Sequence, residues 1–300
     1  MTADRKIVLH VGYPKAASTW LQTKVFTTEN GFQNPWPPHE NEALEQFVWR
    51  NKSDFAPSDA RSAFLSKGAE QSAAAVMSHE VLVGDPVRGR YNGFETADRL
   101  ASAFPDACVV IFFRAQHRYA YSAWCEHIKR GGVTSLDEFL SSDDVPHGYR
   151  AFCPIEFLRF DAMIRYYREL FSAERVLALP LEAIPSGRAS SELAMFLDEP
   201  RLETVDLGVS YAGMRSSAIH AIRQLNRFFP YDPTQRRSRK FVSQQANRIH
   251  RRWPKSAHDR RRAADEKQVA EFLSGRFSAS NQRLQRFTPV DLSEFDYELD

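Results

Sequence analysis

The sequence is poor in the features that would settle its class early. Its three cysteines, Cys108, Cys125 and Cys153, are odd in number and show no metal-ligand spacing. That speaks against a disulfide scaffold and a zinc site, and reads as reduced, buried thiols in a cytoplasmic setting. No metal-binding cluster is visible, so none is expected. Long apolar runs are missing, and MTADRKIVLHVG at the start has no apolar stretch ahead of a cleavage site. Neither a membrane anchor nor a secretory leader is therefore expected. Net charge is small: 40 Lys and Arg against 38 Asp and Glu leave +2. Nothing in that balance pulls the whole chain toward nucleic acid. A Gly-x4-Gly-Lys-Ser/Thr loop is absent as well.

What is present is 300 residues with 43% apolar content, enough for one large α/β domain with extensions. Short apolar runs rich in β-branched residues predict buried strands over 7–11, 73–80, 107–113 and 175–179. Helical patterns are expected over 40–50, 60–70, 94–104, 117–130, 155–171 and 189–197. GFQNPWPP over 31–38 reads as a rigid proline loop. Strands alternating with helices argue for a parallel sheet covered on both faces. Ligands of such sheets sit beyond the carboxyl ends of the strands. Those ends carry Lys15, the pair His79 and Glu80, and Arg114.

The first strand runs into Gly12, Tyr13, Pro14, Lys15, then the small residues Ala16, Ala17, Ser18 and Thr19, then Trp20. Strand, tight loop and helix start build an anion cradle. The first N–H groups of a helix lack intrahelical acceptors, and the dipole favours negative charge there. Lys15 adds a full charge, and Ser18 and Thr19 add hydroxyls. After the third strand, Arg114 is followed eight residues later by Ser122. A guanidinium fork and a hydroxyl on the next helix suit a phosphate. His117 and Arg118 add positive field.

The order Pro-Lys-x-x-Ser-Thr-Trp, followed by Arg114 and Ser122, resembles the two signature motifs of sulfotransferases that use 3′-phosphoadenosine 5′-phosphosulfate (PAPS). The family writes its first loop PKxGTTW or close to it, so Ala17 stands where Gly is usual. Ala holds such a turn if φ stays negative. The resemblance spans about 5–200, with an echo in FSASNQRL and Phe295-Asp296-Tyr297. It implies a bacterial-type, soluble enzyme with a P-loop NTPase-like sulfotransferase fold: a three-layer α/β sandwich with a central parallel sheet and a helical C-terminal part. One domain is expected over 1–300, its PAPS-binding core over 1–210 and its helical, basic part over 211–300.

The resemblance also implies roles. Lys15 neutralises charge at the transferring group. The N–H groups of Ala16, Ala17, Ser18 and Thr19 cradle the 5′-phosphate, and Trp20 stacks on adenine unless it is a core aromatic. Arg114 and Ser122 hold the 3′-phosphate. The acceptor's proton needs a base. Glu80 is preferred because Ser78-His79-Glu80 resembles an S-x-E pattern in bacterial relatives, and His79 is the alternative. Alternation along a strand predicts that only one of the two faces the donor. Leu181-Glu182-Ala183 sits where many relatives have Tyr-Glu-Asp, so that tyrosine is missing, and no Arg-Lys-Gly is found near the C-terminus. Arg215 or a residue of 236–240 is the expected substitute.

Eleven basic residues from Arg236 to Arg262 share their stretch with one acid, Asp259. A solvated helix face explains such a run. Its density favours an anionic partner instead: the 3′-phosphate, an anionic glycan or glycolipid, or a membrane surface. Aromatics are sparse there, against single-stranded nucleic acid. Phe228, Phe229, Pro230, Tyr231 and Pro233 are candidates for an acceptor wall. A sulfonate transferase acting on a carbohydrate or glycolipid is the leading reading. A P-loop nucleotide kinase and a non-catalytic polyanion-binding protein are the alternatives.

Overall fold

A computed structural model describes residues 5–67, 73–141, 154–205, 216–228, 244, 245, 248 and 254–300. Cys153, Arg215, the turn over 229–233, the run over 236–240, Arg251 and Arg252 lie outside them. Five parallel strands form one sheet in the order β2-β3-β1-β4-β5. They are β1 (Ile7–His10), β2 (Phe32–Gln33), β3 (Ala74–Ser78), β4 (Cys108–Phe113) and β5 (Val176–Pro180). All four predicted strands are present. β2 lies inside the predicted proline loop, because Phe32 and Gln33 pair with Ala74 and Ala75 before the prolines begin.

Helices cover the sheet. α1 (Ser18–Trp20) continues in a π turn over Leu21–Val25, and α2 (Glu42–Leu44) continues in another over Glu45–Trp49. Then come α3 (Pro57–Ser66), α4 (Gly93–Ala103), α5 (Gln116–Lys129), α6 (Leu136–Leu140), α7 (Phe160–Phe171) and α8 (Arg188–Leu197). The C-terminal part holds α9 (Ser216–Phe228), α10 (Lys255–Leu273) and α11 (Ser278–Gln285). The expected helix over 155–171 is broken: Ile155–Leu158 is a 3-10 turn, and Arg159 leaves helical geometry before α7. Among the described residues no helix is long and apolar enough to cross a membrane.

The core is aromatic and continuous. Phe112, Phe113, Phe160, Tyr119 and Tyr13 are fully buried, and Tyr13 meets Phe160 at 4.6 Å between ring centres. Burying one such ring stabilises the fold by roughly 1.5–3 kcal/mol. Of the cysteines described, Cys125 is buried and Cys108 half-buried, so the expectation of buried thiols holds for one of them. Burial pushes the Cys125 thiol up to about 12, which makes it unreactive.

β1 is central, pairing with β3 on one side and β4 on the other. From β1 the chain heads toward β2, and from β4 toward β5. Adjacent strands whose connections diverge leave a crevice at their carboxyl ends. Lys15 follows β1 and Arg114 follows β4, so both stand at that crevice.

Candidate active site

The loop after β1 stays attached to the sheet. Val11 and Tyr13 donate their N–H groups to the carbonyls of Val110 and Phe112 at 3.1 and 3.0 Å. Gly12 is required there: a Cβ would stand 2.8 Å from Nε2 of His10 and 3.1 Å from the Phe112 nitrogen. Lys15 (φ 67°) and Ala17 (φ 68°) are left-handed, while Ala16 between them is not. Alternation of this kind turns successive N–H groups into an anion-binding concavity. The expectation of a negative φ at Ala17 is therefore corrected. The turn needs the glycine-like conformation, and Ala17 adopts it with strain of about 1–2 kcal/mol.

Ala16 is corrected as well. Its N–H closes a turn onto the Tyr13 carbonyl at 3.1 Å, so it is committed inside the loop. Ser18 and Thr19 open α1, where the first N–H groups have no intrahelical acceptor. The Ser18 hydroxyl is buried and has no hydrogen-bond partner among the described residues. Trp20 is 8% exposed and packs edge-on against Phe112 at 6.2 Å. It occupies the place of a core aromatic under the loop, not of an open platform for a base.

Lys15 turns toward α5. Its Nζ lies 3.1 Å from Oε2 of Glu126, whose Oε1 takes Arg130 at 2.9 Å. Glu126 is four residues beyond Ser122, one turn along the same face and roughly 6 Å down the axis. The loop after β1 thus meets the helix that carries Ser122. Arg114, at the start of that segment, is largely buried, and its Nε has no hydrogen-bond partner among the described residues. Burial lowers the guanidinium's pKa; Glu182 opposes this, while Arg118 and Arg262 add to it. Arg262 of α10 is a cation from the C-terminal part within electrostatic reach of Arg114.

The C-terminus braces this corner. Tyr297 donates to Oε2 of Glu182 at 3.2 Å and packs on Phe113 at 5.8 Å. Glu182 also accepts the Ala115 N–H at 3.3 Å. Burial pushes the Glu182 carboxyl up. Asn281 takes Gln116 at 2.6 Å, and Arg118 pairs with Asp296. A tyrosine does sit on Glu182, but it arrives from the chain's end and not from the position before it. No feature of the residues around 181 could have foretold that.

On the other side of β1 lies a cleft of about 420 Å³, lined by Ser18, Thr19, Gln22, His79 and Glu80 among others. β3 ends at Ser78, so His79 and Glu80 lie beyond the strand, where alternation no longer applies. Glu80 begins a 3-10 turn, and both residues line the cleft. Nδ1 of His79 accepts the Val81 N–H at 3.2 Å. A neutral imidazole with that nitrogen occupied carries its proton on Nε2.

Beneath the cleft, buried His10 meets the Ser78 hydroxyl through Nδ1 at 2.7 Å, and Gln22 donates to the same hydroxyl at 3.1 Å. Burial first, and the nearby His79 second, push His10 down to about 3, so it stays neutral. The sequence reading passed over both His10 and Gln22. Among the described residues no three His, Cys, Asp or Glu side chains are grouped to hold a metal ion.

Two of the described cations of the basic segment are paired with acids on their own helix. Arg261 pairs with Asp265 at 3.4 Å and Arg262 with Glu266 at 2.9 Å, each one turn on. That is the arrangement of a solvated helix face.

No family model matches the chain, and no curated protein matches it either. Among solved structures, the chain is similar to the crystal structure of a sulfotransferase from Alicyclobacillus acidocaldarius. The match has a TM-score of 0.51 at 16% identity and covers 86% of this chain and 100% of that one. The fold is shared.

Proposed function

We propose that the protein transfers a sulfonate group from PAPS to a hydroxyl or amine of an acceptor. The observation that carries the reading is a pair of buried, unpartnered polar atoms, Ser18 Oγ and Arg114 Nε, beside neighbouring strand ends. Unsatisfied buried polar groups call for an explanation, and for these two, at the strand ends, a ligand that completes them supplies one. They fit a donor with two anionic ends. Ser18, Thr19 and Lys15 suit the 5′ end, and Arg114 with Ser122 suits the 3′-phosphate.

When bound, PAPS supplies the sulfonate: its sulfur–oxygen bond to the 5′-phosphate breaks as one forms to the acceptor oxygen, and the bisphosphate PAP leaves. Lys15 offsets negative charge on the leaving and equatorial oxygens, as cations do in phosphoryl transfer. Glu80 takes the acceptor's proton, being a carboxylate in the cleft with open lone pairs. His79 is less suited to that task, since its Nδ1 is occupied by the Val81 N–H and the proton of the neutral ring sits on Nε2. It serves better as a donor that orients the acceptor.

Thermal shift tests the reading. Selective stabilisation by PAP over ATP and ADP is expected, because ligands that bind only the folded state raise its stability. A preference for ATP with magnesium favours a kinase instead, and a response to heparin alone favours a polyanion-binding role. The compartment is proposed to be cytoplasmic, from the low and odd cysteine content.

A further inference from the structure

The corner around Arg114 holds an acid that the donor reading leaves unused. Half-buried Glu182 is the first charge that favours the Arg114 guanidinium. A carboxylate in that place tends to grip a guanidinium as a bidentate pair, which would close it to any other anion. Glu182 does not take the Arg114 Nε, which has no hydrogen-bond partner among the described residues. Its oxygens are committed elsewhere. Oε1 accepts the Ala115 N–H at 3.3 Å, Oε2 accepts the Tyr297 hydroxyl at 3.2 Å, and the N–H of Glu182 itself donates as well. The other two guanidiniums near Arg114 already have acids: Arg118 pairs with Asp296, and Arg262 with Glu266 at 2.9 Å. Glu182 is therefore the acid that decides whether Arg114 stays open.

Tyr297 is fastened where it can act on that choice. Asp296 before it is left-handed, at φ 59°. Glu298 after it is held twice: its carbonyl accepts Asn281 Nδ2 of α11 at 3.0 Å, and its Oε1 accepts the Gly275 N–H at 2.8 Å. The Tyr297 ring is buried against Phe113, the residue before Arg114. We propose that Tyr297 is a positioning residue for the 3′ end of the donor: by occupying Oε2 of Glu182, it keeps that carboxylate off Arg114 and leaves the guanidinium open to phosphate. The inference rests on the sulfonate-transfer reading for the identity of the ligand. Glu182 is kept for a different task, since its Oε1 holds the N–H next to Arg114 and so fixes the backbone entering α5. Tyr297 lets it do so without capturing the cation.

The test is a binding measurement that needs no turnover. Calorimetry on the full chain compares PAP with 5′-AMP in the native protein, in Tyr297→Phe, and in Tyr297→Phe combined with Glu182→Gln. Tyr297→Phe keeps the ring and removes only the hydroxyl. It should cut the preference for PAP by about fivefold or more, while 5′-AMP affinity changes by less than about twofold. Adding Glu182→Gln removes the competing charge and should restore the preference. A tyrosine that only packs would shift both nucleotides together, and losing a second buried carboxylate would not repair it. An unchanged preference in Tyr297→Phe overturns the inference, as does a loss that Glu182→Gln leaves in place or deepens. If Tyr297→Phe does not fold, Glu182→Gln alone decides: a preference kept or raised supports the inference, and a lowered one overturns it. The two readings fail differently. A native protein that binds PAP and 5′-AMP alike sinks the donor assignment and this inference with it. A native preference that Tyr297→Phe leaves intact sinks this inference alone.

Discussion

Lys15 and Glu126 form an ion pair at 3.1 Å between the loop after β1 and the helix that bears Ser122. Burial alone would raise the Glu126 carboxyl, yet Lys15 and Arg130 together bring it below the usual range. Glu126 is therefore charged at neutral pH and competes with any anion for the Lys15 ammonium. Both partners keep some solvent contact, so the pair is worth about 1 kcal/mol or less. Glu126→Gln is expected to tighten PAP binding by up to about fivefold, read by calorimetry. Weaker binding would show that Glu126 aims Lys15 rather than occupying it. Lys15→Ala should lower transfer by about 100-fold or more.

Ala17 sits at φ 68° without being glycine. Ala17→Gly removes the Cβ strain but adds freedom to the unfolded chain. The net gain is expected to be about 1 kcal/mol, or roughly 2 °C in the melting midpoint of a chain this long. A scan of the two proteins checks it; a lower midpoint in the variant contradicts the strain.

Glu80 and His79 are separated by substitution. Glu80→Gln keeps the shape and removes the proton acceptor. Turnover should fall by about 100- to 10,000-fold while PAP affinity holds. Full turnover in that variant transfers the role to His79.

His10 makes stability depend on pH. Unfolded, its imidazole takes a proton near 6.5; folded, not until about 3. Between those values the unfolded chain binds more protons, so stability falls as pH drops. The loss approaches about 1.4 kcal/mol per pH unit. His127, lowered to about 4 by burial, acts with the same sign. His10→Gln should flatten the slope by about one proton's worth, followed by urea titration across the window. An unchanged slope would mean that His10 is already protonated in the fold.

The strand ends that carry Lys15, Glu80 and Arg114 were legible because apolar β-branched runs and the breakers after them are local signals. The site's other half was not. Glu126 lies 111 residues from Lys15, and Tyr297 lies 115 from Glu182. Only tertiary packing joins such pairs, and no spacing rule reaches that far. The left-handed φ at Ala17 was hidden because alanine's identity is compatible with either sign. The pairing of Arg261 and Arg262 was legible in principle through the one-turn rule. Their partners Asp265 and Glu266 stand just past the basic stretch, and a charge count that stops at Arg262 misses them. Trp49 and Arg90 meet across 41 residues of sequence, with neither in a recognisable motif.

The reading stands on one donor held at both ends, and the 3′ end is the discriminating one. The most direct measurement is the affinity for PAP relative to 5′-AMP, which lacks the 3′-phosphate, in the native protein and in Arg114→Ala. The native protein should favour PAP by at least about tenfold, the worth of one charged fork on phosphate, and Arg114→Ala should bind the two nucleotides alike. Equal affinities in the native protein, or a preference for PAP that survives the loss of Arg114, would contradict the account.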